Sequence, residues 1–309
     1  MDKKVLSNIA LFFTALIWGV SFVAQKAGME YVGAFSFNAA RSLLGGLSLI
    51  PVIFIAKLLT KDTRTKEIKH QQHKNLFKAG LACGGALFTA MTIQQCSMAY
   101  ATAGKAGFIS ALYIIFVPII SVFFGSKLEN KVKISVGLAL IGLYLLCFKP
   151  DNGGFGIYDI LLLISAFFYG VHILVVNYFS KFVNATKASC AQFFVVGLLS
   201  ISFMLIFENP TLQSFIDCRI PILYAGILTC GVAYTLQIFG QKYSKTPTVA
   251  SIILSLESVF AVVGGGIILH ETMTPKEILG CVFMIVAVIL SQLKSTSKLH
   301  HGVPQIEEK

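Results

Sequence analysis

The sequence predicts an all-α polytopic membrane protein, ten transmembrane helices arranged as two inverted five-helix repeats, and three observations carry that prediction. Of its 309 residues 56% are hydrophobic and only 13% are charged, about half the charged share of a soluble domain. The mean hydropathy of +0.78 comes from ten apolar runs of roughly 20 residues, each long enough to cross about 30 Å of hydrocarbon. The two halves of the chain also resemble one another. The same composition excludes collagen, a disordered tail and a disulfide-stapled secreted scaffold.

The first run, 5–25, follows Met1-Asp2-Lys3-Lys4 with no small-residue cleavage pattern, so it reads as a retained helix rather than a signal peptide. Its Thr14, Trp18, Ser21 and Gln25 share one helix face. The second, 35–57, holds Arg41 about six residues in, where a guanidinium costs at least ~2.5 kcal/mol on insertion scales unless it is paired or snorkels. The third, 77–100, carries Phe88, Met91 and Gln95, and the fourth, 106–126, carries Ser110, Tyr113 and Pro118. The fifth, 132–148, closes the first half. The sixth, 157–179, opens with Asp159 and places Ser165, Tyr169, His172 and Val176 on one face. The seventh is 189–207, and the eighth, 219–241, repeats a polar stripe with Cys230, Tyr234, Gln237 and Gln241. The ninth, 247–269, contains Ser255, Glu257, Ser258 and Gly264-Gly265-Gly266, and the tenth is 275–293.

Self-similarity joins these runs. A shift of 151 lays Trp18-Gly19-Val20 on Tyr169-Gly170-Val171 and Gly46 on Gly197. A shift of 146 lays Gly80 on Gly226, Gly85 on Gly231, Thr89 on Thr235 and Gln95 on Gln241; one of 145 lays Ser110 on Ser255. The chain thus divides into repeats at 1–150 and 151–309. Five spans are an odd number, so the second repeat enters the membrane in the opposite sense, an arrangement characteristic of secondary transporters. Pro118 corresponds to Val263 beside the triple glycine, and helices interrupted at matching positions point to a transport site. That pattern predicts breaks near Pro118 and Gly264, with a simple packing kink as the competing reading.

Charge placement orients the spans. With both termini cytoplasmic, nineteen of the 25 Lys and Arg fall inside, five outside and Arg41 alone within a span, which satisfies the positive-inside rule. The net charge of +11 is therefore topological, with no aromatic-interleaved basic region for nucleic acid. The basic connection from Lys57 to Asn75 reads as a solvated cytoplasmic loop near anionic lipid. Cys83, Cys96, Cys190, Cys230 and Cys281 lack metal-ligand spacing and read as packing residues. No metal or cofactor site is expected.

Several segments carry a family resemblance: Trp18-Gly19, Ala40-Arg41-Ser42-Leu43-Leu44-Gly45-Gly46 and Ala103-Gly104-Lys105-Ala106-Gly107-Phe108-Ile109. Leu256-Glu257-Ser258-Val259-Phe260-Ala261 and His270-Glu271-Thr272-Met273-Thr274 with Gly280 follow. In this order, over about residues 5–293, the chain resembles the EamA-like branch of the drug/metabolite transporter superfamily. The resemblance implies ten helices in two inverted halves, cytoplasmic termini, and transport of small metabolites, often export of amino acids or related compounds. Ser258 stands where a proline often follows the glutamate in the family, which puts the kink of the ninth helix in question.

The expected substrate path comprises Trp18, Ser21, Gln95, Tyr113, Tyr169, His172, Tyr234, Gln237 and Ser258, because polar side chains in hydrocarbon face a bundle interior or a wet cavity. Interhelical hydrogen bonding is the competing reading for each of them. Two charges stand apart. Arg41 reads as a structural anchor first and a partner for a substrate carboxylate second; Glu257, close to mid-span, reads as a proton-coupling carboxylate or a bundling residue. The partners expected are a small-molecule substrate, membrane lipid and protons, with no nucleic acid and no assigned oligomeric state. The leading function is an exporter of small amphipathic metabolites in the plasma or inner membrane. An importer of a sugar, vitamin or nucleoside derivative is the alternative. A polytopic enzyme would need paired acids, a metal cluster or a nucleophile with its base, and the spans offer none.

Overall fold

The computed structural model of the chain describes residues 2–59, 65–101, 103–147, 156–268 and 274–293. Among the described residues every regular element is a helix. In order they are α1 (Lys3–Gly28), α2 (Ala34–Leu59), α3 (Lys66–Met98), α4 (Ala103–Ala111), α5 (Tyr113–Phe123), α6 (Asn130–Cys147), α7 (Ile157–Phe179) and α8 (Ala185–Phe207). There follow α9 (Leu212–Asp217), α10 (Arg219–Leu223), a π-helical stretch (Tyr224–Ala233), α11 (Tyr234–Tyr243), α12 (Pro247–Leu254), α13 (Glu257–Ile268) and α14 (Pro275–Gln292). Eight helical segments are long and apolar enough to cross a membrane, and Pro247–Val263 is a shorter apolar one.

Polar caps mark the helix starts. Asp2, Thr65, Asn184 and Thr246 each accept a hydrogen bond from an N–H of the first turn, and Thr274 forms a reciprocal capping box with Glu277 ahead of Pro275. Between caps the interiors are apolar, and a helix is the form in which such a segment satisfies its own backbone in lipid. Thr65 also corrects one expectation. The basic stretch before residue 75 is not all loop, because α3 begins at Lys66 and runs through Lys, Glu and Gln, which are good helix formers.

The breaks differ from those expected at Pro118 and Gly264. α5 continues through Pro118 and α13 runs to Ile268, while the interruptions fall at Leu112 and at Ser255–Leu256. Backbone bonds of the tighter i to i+3 kind mark both places: Ile115 N to Leu112 O at 2.9 Å and Ser258 N to Ser255 O at 3.2 Å. The hydroxyls of Ser251 in α12 and of Ser255, which caps it, donate to Thr248 O and Ile252 O, each at 2.8 Å, in competition with the regular ladder. The ninth span is thus interrupted without a proline.

Small residues bring the bundle together. A Cβ on Gly19 would lie 2.6 Å from Glu257 O and Phe260 Cβ, so α1 meets α13 backbone to backbone; Gly170 lets α7 approach Phe116 of α5 at 3.1 Å in the same way. The α2–α8 contact is reciprocal. Leu43 presses on Gly197 while Phe194 lies over Gly46, and both pairs are related by the 151-residue shift.

The ends of the helices form two groups. At one end Lys26 donates to Met98 O and Ala99 O, Lys105 pairs with Asp159 at 2.8 Å, and Glu208 accepts from Phe35 N and Ser36 N. At the other Lys131 and Lys245 both donate to Leu293 O. Around the outside lie exposed apolar side chains such as Phe54, Leu58, Phe123 and Leu205, a surface that fits hydrocarbon. The boundary expected at 150/151 and the motif residues His270 to Met273 lie outside the described residues.

Candidate functional site

A cavity of about 30 Å³ lies at the centre of the bundle, with room for about two waters. α1 supplies Trp18, Ser21, Phe22 and Gln25; α2, α3, α4 and α5 supply Arg41, Gln94, Ser110 and Tyr113. From the second half come Tyr169 on α7, Thr229 on the π-helical stretch, Tyr234 at the start of α11 and Glu257 at the start of α13. The two interrupted helices thus end at the cavity.

Aromatic rings make most of its wall. Trp18 and Tyr234 are tilted against each other with centroids 4.8 Å apart, and Phe193 backs Tyr234 edge-on at 5.0 Å. A polar chain fixes one side: Tyr169 donates to Gln94 Oε1 at 2.9 Å and Gln94 Nε2 donates to Ser110 Oγ at 2.8 Å. Ser21 accepts from Gln25 Nε2 at 3.0 Å.

The two charges face the cavity from opposite halves and no ion pair joins them among the described residues. Arg41 is 2% exposed; its Nε donates to Asn38 Oδ1 at 2.9 Å and its guanidinium lies 5.3 Å from the Phe37 ring centroid. That cation–π contact and one hydrogen bond leave Nη2 unpartnered. Glu257 is 4% exposed. Trp18 Nε1, Gln25 Oε1, Tyr113 Oη and Thr229 Oγ1 are likewise buried and unpartnered. Buried polar groups are normally hydrogen-bonded, so a cluster of them around one cavity points to a ligand or ordered water that completes them.

Of the residues expected on the path, Trp18, Ser21, Tyr113, Tyr169 and Tyr234 line this cavity, together with Arg41 and Glu257. Four lie elsewhere. Gln95 donates to Gln25 O at 3.1 Å between α3 and α1, and Ser258 donates to Gly107 O at 3.4 Å between α13 and α4. His172 shares a 3.2 Å hydrogen bond with Gln192 on α8, while its ring meets Tyr234 edge-on at 5.9 Å. Gln237 is fully buried with neither amide atom paired. Their helix face turns with depth, so one stripe serves the cavity at one level and a helix contact at another. Gln94 was missed because its neighbour Gln95 sits on the repeat-related stripe. Thr229 was missed because a π-helical stretch advances the register by i to i+5. Among the described residues no three His, Cys, Asp or Glu could hold a metal ion.

The model of the EamA-like transporter family matches this chain over residues 5–148 and again over 156–293. A protein of Archaeoglobus fulgidus, named an uncharacterized transporter, is 31% identical over 293 residues, covering 94% of this chain and 87% of its own. The uncharacterized transporter YoaV of Bacillus subtilis is 24% identical, covering 94% of this chain and 97% of its own. A solved crystal structure with 15% identity superposes with a TM-score of 0.72 over 93% of this chain and 98% of that one, a likeness of fold.

Proposed function

Because this chain belongs to the EamA-like transporter family, we propose that it is a secondary transporter exporting small amphipathic metabolites, amino acids or related compounds, across the cytoplasmic membrane by alternating access. It is a multi-pass membrane protein with a small-molecule substrate, and not an enzyme. The observation that carries the proposal is that Arg41, with a free Nη2, and Glu257 face one aromatic-walled cavity from opposite halves with no ion pair to either among the described residues. A zwitterion completes both. Its carboxylate fits the free Nη2 of Arg41 and the indole N–H of Trp18, and its ammonium fits Glu257 and Gln25 Oε1. The rings of Phe22, Tyr169 and Tyr234 offer an apolar side-chain pocket.

Ten spans in two inverted halves account for the arrangement around that site. The family matches the chain in two successive segments, and the Leu43/Gly197 and Phe194/Gly46 contacts are reciprocal. The helix ends sort into two groups as alternating crossings require, and the lysine-rich end is the cytoplasmic one.

The cavity is far below the roughly 300 Å³ or more that a small-molecule site occupies, so this form is closed and the halves must part to load it. Beyond Tyr234 a second set of buried polar groups follows: His172 paired with Gln192, and Gln237 and Gln241 further along α11, with several unpaired amide atoms among them. We read it as the inner half of the path, dry when closed and wet when open to the cytoplasm. Glu257 carries the coupling proton. The test is efflux of labelled amino acids from proteoliposomes. Absence of flux across a broad metabolite panel, with the protein folded, would sink the reading, and uptake in whole cells against everted vesicles decides direction.

A further inference from the structure

The helix made of α10, the π-helical stretch and α11 runs antiparallel to α1, and three hydrogen bonds set the register. Ser7 Oγ donates to Gly240 O at 2.6 Å, Thr14 Oγ1 to Ala233 O at 3.1 Å and Cys218 Sγ to Gly28 O at 3.7 Å. As residue numbers rise on one helix they fall on the other, so Trp18, one turn beyond Thr14, is level with Thr229, one turn before Ala233. Both side chains line the central cavity, and both are more than nine-tenths buried, at 8% and 4% exposed. The Trp18 indole N–H and the Thr229 hydroxyl are each without a partner.

The backbone explains why this hydroxyl is free. Thr14, Thr89 and Thr235 lie in α-helix and donate to the carbonyl four residues back, of Ala10, Gly85 and Gly231, at 2.7–3.1 Å, which is how a helical threonine satisfies its own hydroxyl. Thr229 lies where the ladder runs over five residues instead, since Tyr234 N donates to Thr229 O. The wider turn offsets the carbonyl four residues back, and the hydroxyl is left over. The same turn sets the face. Residues five apart on an α-helix are about 140° apart around its axis, whereas Thr229 and Tyr234 both reach the cavity. Close packing holds the stretch in place: a Cβ on Gly45 would lie 2.5 Å from Cys230 Cβ, and one on Gly231 2.7 Å from Ser48 Oγ, so α2 presses directly against it.

We propose, on the transport reading above, that Thr229 is a specificity-determining residue of the same site, whose hydroxyl donates beside the indole N–H of Trp18 to the carboxylate of the substrate. A buried hydroxyl with no partner in the protein is satisfied only when the ligand brings an acceptor. An analogue without the carboxylate leaves it unpaired in a dry pocket and is rejected for that reason. The π-helical stretch is then the local distortion that turns one threonine from its own helix toward the ligand, and it selects acids over the corresponding amines.

The test is equilibrium dialysis of the full purified chain in detergent micelles against a panel of labelled amino acids and, for the tightest of them, the labelled amine that lacks its carboxylate. Thr229→Val, close to isosteric, should weaken the amino acid by about 10-fold or more and leave the amine unchanged. Thr229→Ser, which restores the hydroxyl, should recover most of the lost affinity. Thr89→Val, whose hydroxyl is bound within its own helix, should change neither ligand. Thr229→Ala repeats the measurement should the valine variant not fold. Full affinity for the amino acid in Thr229→Val, an equal loss for acid and amine, or a loss that serine does not restore would overturn the role of Thr229 and leave the transport reading standing. Failure of the unaltered protein to bind any amino acid of the panel would overturn both.

Discussion

The sharpest consequence of the cavity concerns Arg41, and the protein supplies its own probe. Trp18 is the one tryptophan in the chain, it lines the cavity, and its indole N–H is unpartnered, so fluorescence excited selectively at tryptophan, outside the tyrosine absorption, reports the cavity. The perturbation is Arg41→Gln, measured against two ligands: the tightest-binding amino acid of a panel and the amine left by removing its carboxylate. A charge-assisted hydrogen bond contributes about 1.5–3 kcal/mol, or roughly 10- to 150-fold in Kd. Removing the guanidinium also takes the 2.9 Å partner from Asn38 Oδ1, but that cost falls on free and bound protein alike and cancels from the ratio. The amino acid should therefore lose about 10- to 150-fold in affinity while the amine changes little, and in the variant the two should bind alike. An equal loss for both ligands would mean that Arg41 only orders the bundle; no loss for either would remove it from the site.

Four other perturbations separate the remaining roles. Glu257→Gln should abolish transport driven by a pH gradient and leave counterflow exchange intact, with unchanged pH dependence in flux assays ending the coupling idea. Gly19→Ala drives a methyl to 2.6 Å from Glu257 O and should cost about 1–3 kcal/mol in thermal unfolding; Gly85→Ala, whose added methyl meets nothing within 4 Å, should cost nothing. Gln237→Leu removes two unpaired buried amide atoms, so it should raise the melting temperature while slowing flux, and an unaltered flux would mean that the inner cluster never opens. Glu208→Gln weakens the carboxylate cap on the start of α2, where Ser36 N donates at 2.8 Å, and a loss of about 1–2 kcal/mol should appear in the same unfolding assay.

What could be read from the sequence follows from the range over which each cause acts. Apolar runs are local, so the helical architecture and most boundaries were legible to within a few residues; α3 escaped because helix propensity and a Thr65 cap extend it past the apolar stretch. The stripes located Trp18, Ser21, Tyr113, Tyr169 and Tyr234, because a polar face in lipid has few places to turn. Gln94 was not legible. Its place depends on Tyr169, 75 residues away, and on Ser110, and a one-residue difference from Gln95 is 100° around the helix.

Pro118 and the triple glycine misled for a physical reason that bears on the site itself. In a membrane helix the carbonyl freed by a proline can be satisfied by neighbouring helices, so a proline does not by itself end the helix. A serine hydroxyl that bonds back three residues competes directly with the ladder, and Ser251 and Ser255 do so just before Glu257. The family position where this chain has Ser258 is thus served by a hydroxyl that reaches Gly107 O on α4, tying the two interrupted helices together beside the cavity. A break made by hydroxyls keeps every N–H of the turn and can reform its ladder at little cost. A proline break cannot. On the alternating-access reading proposed above, the interruption at Ser255–Leu256 would serve as a hinge for the helix whose first residue after the break is Glu257.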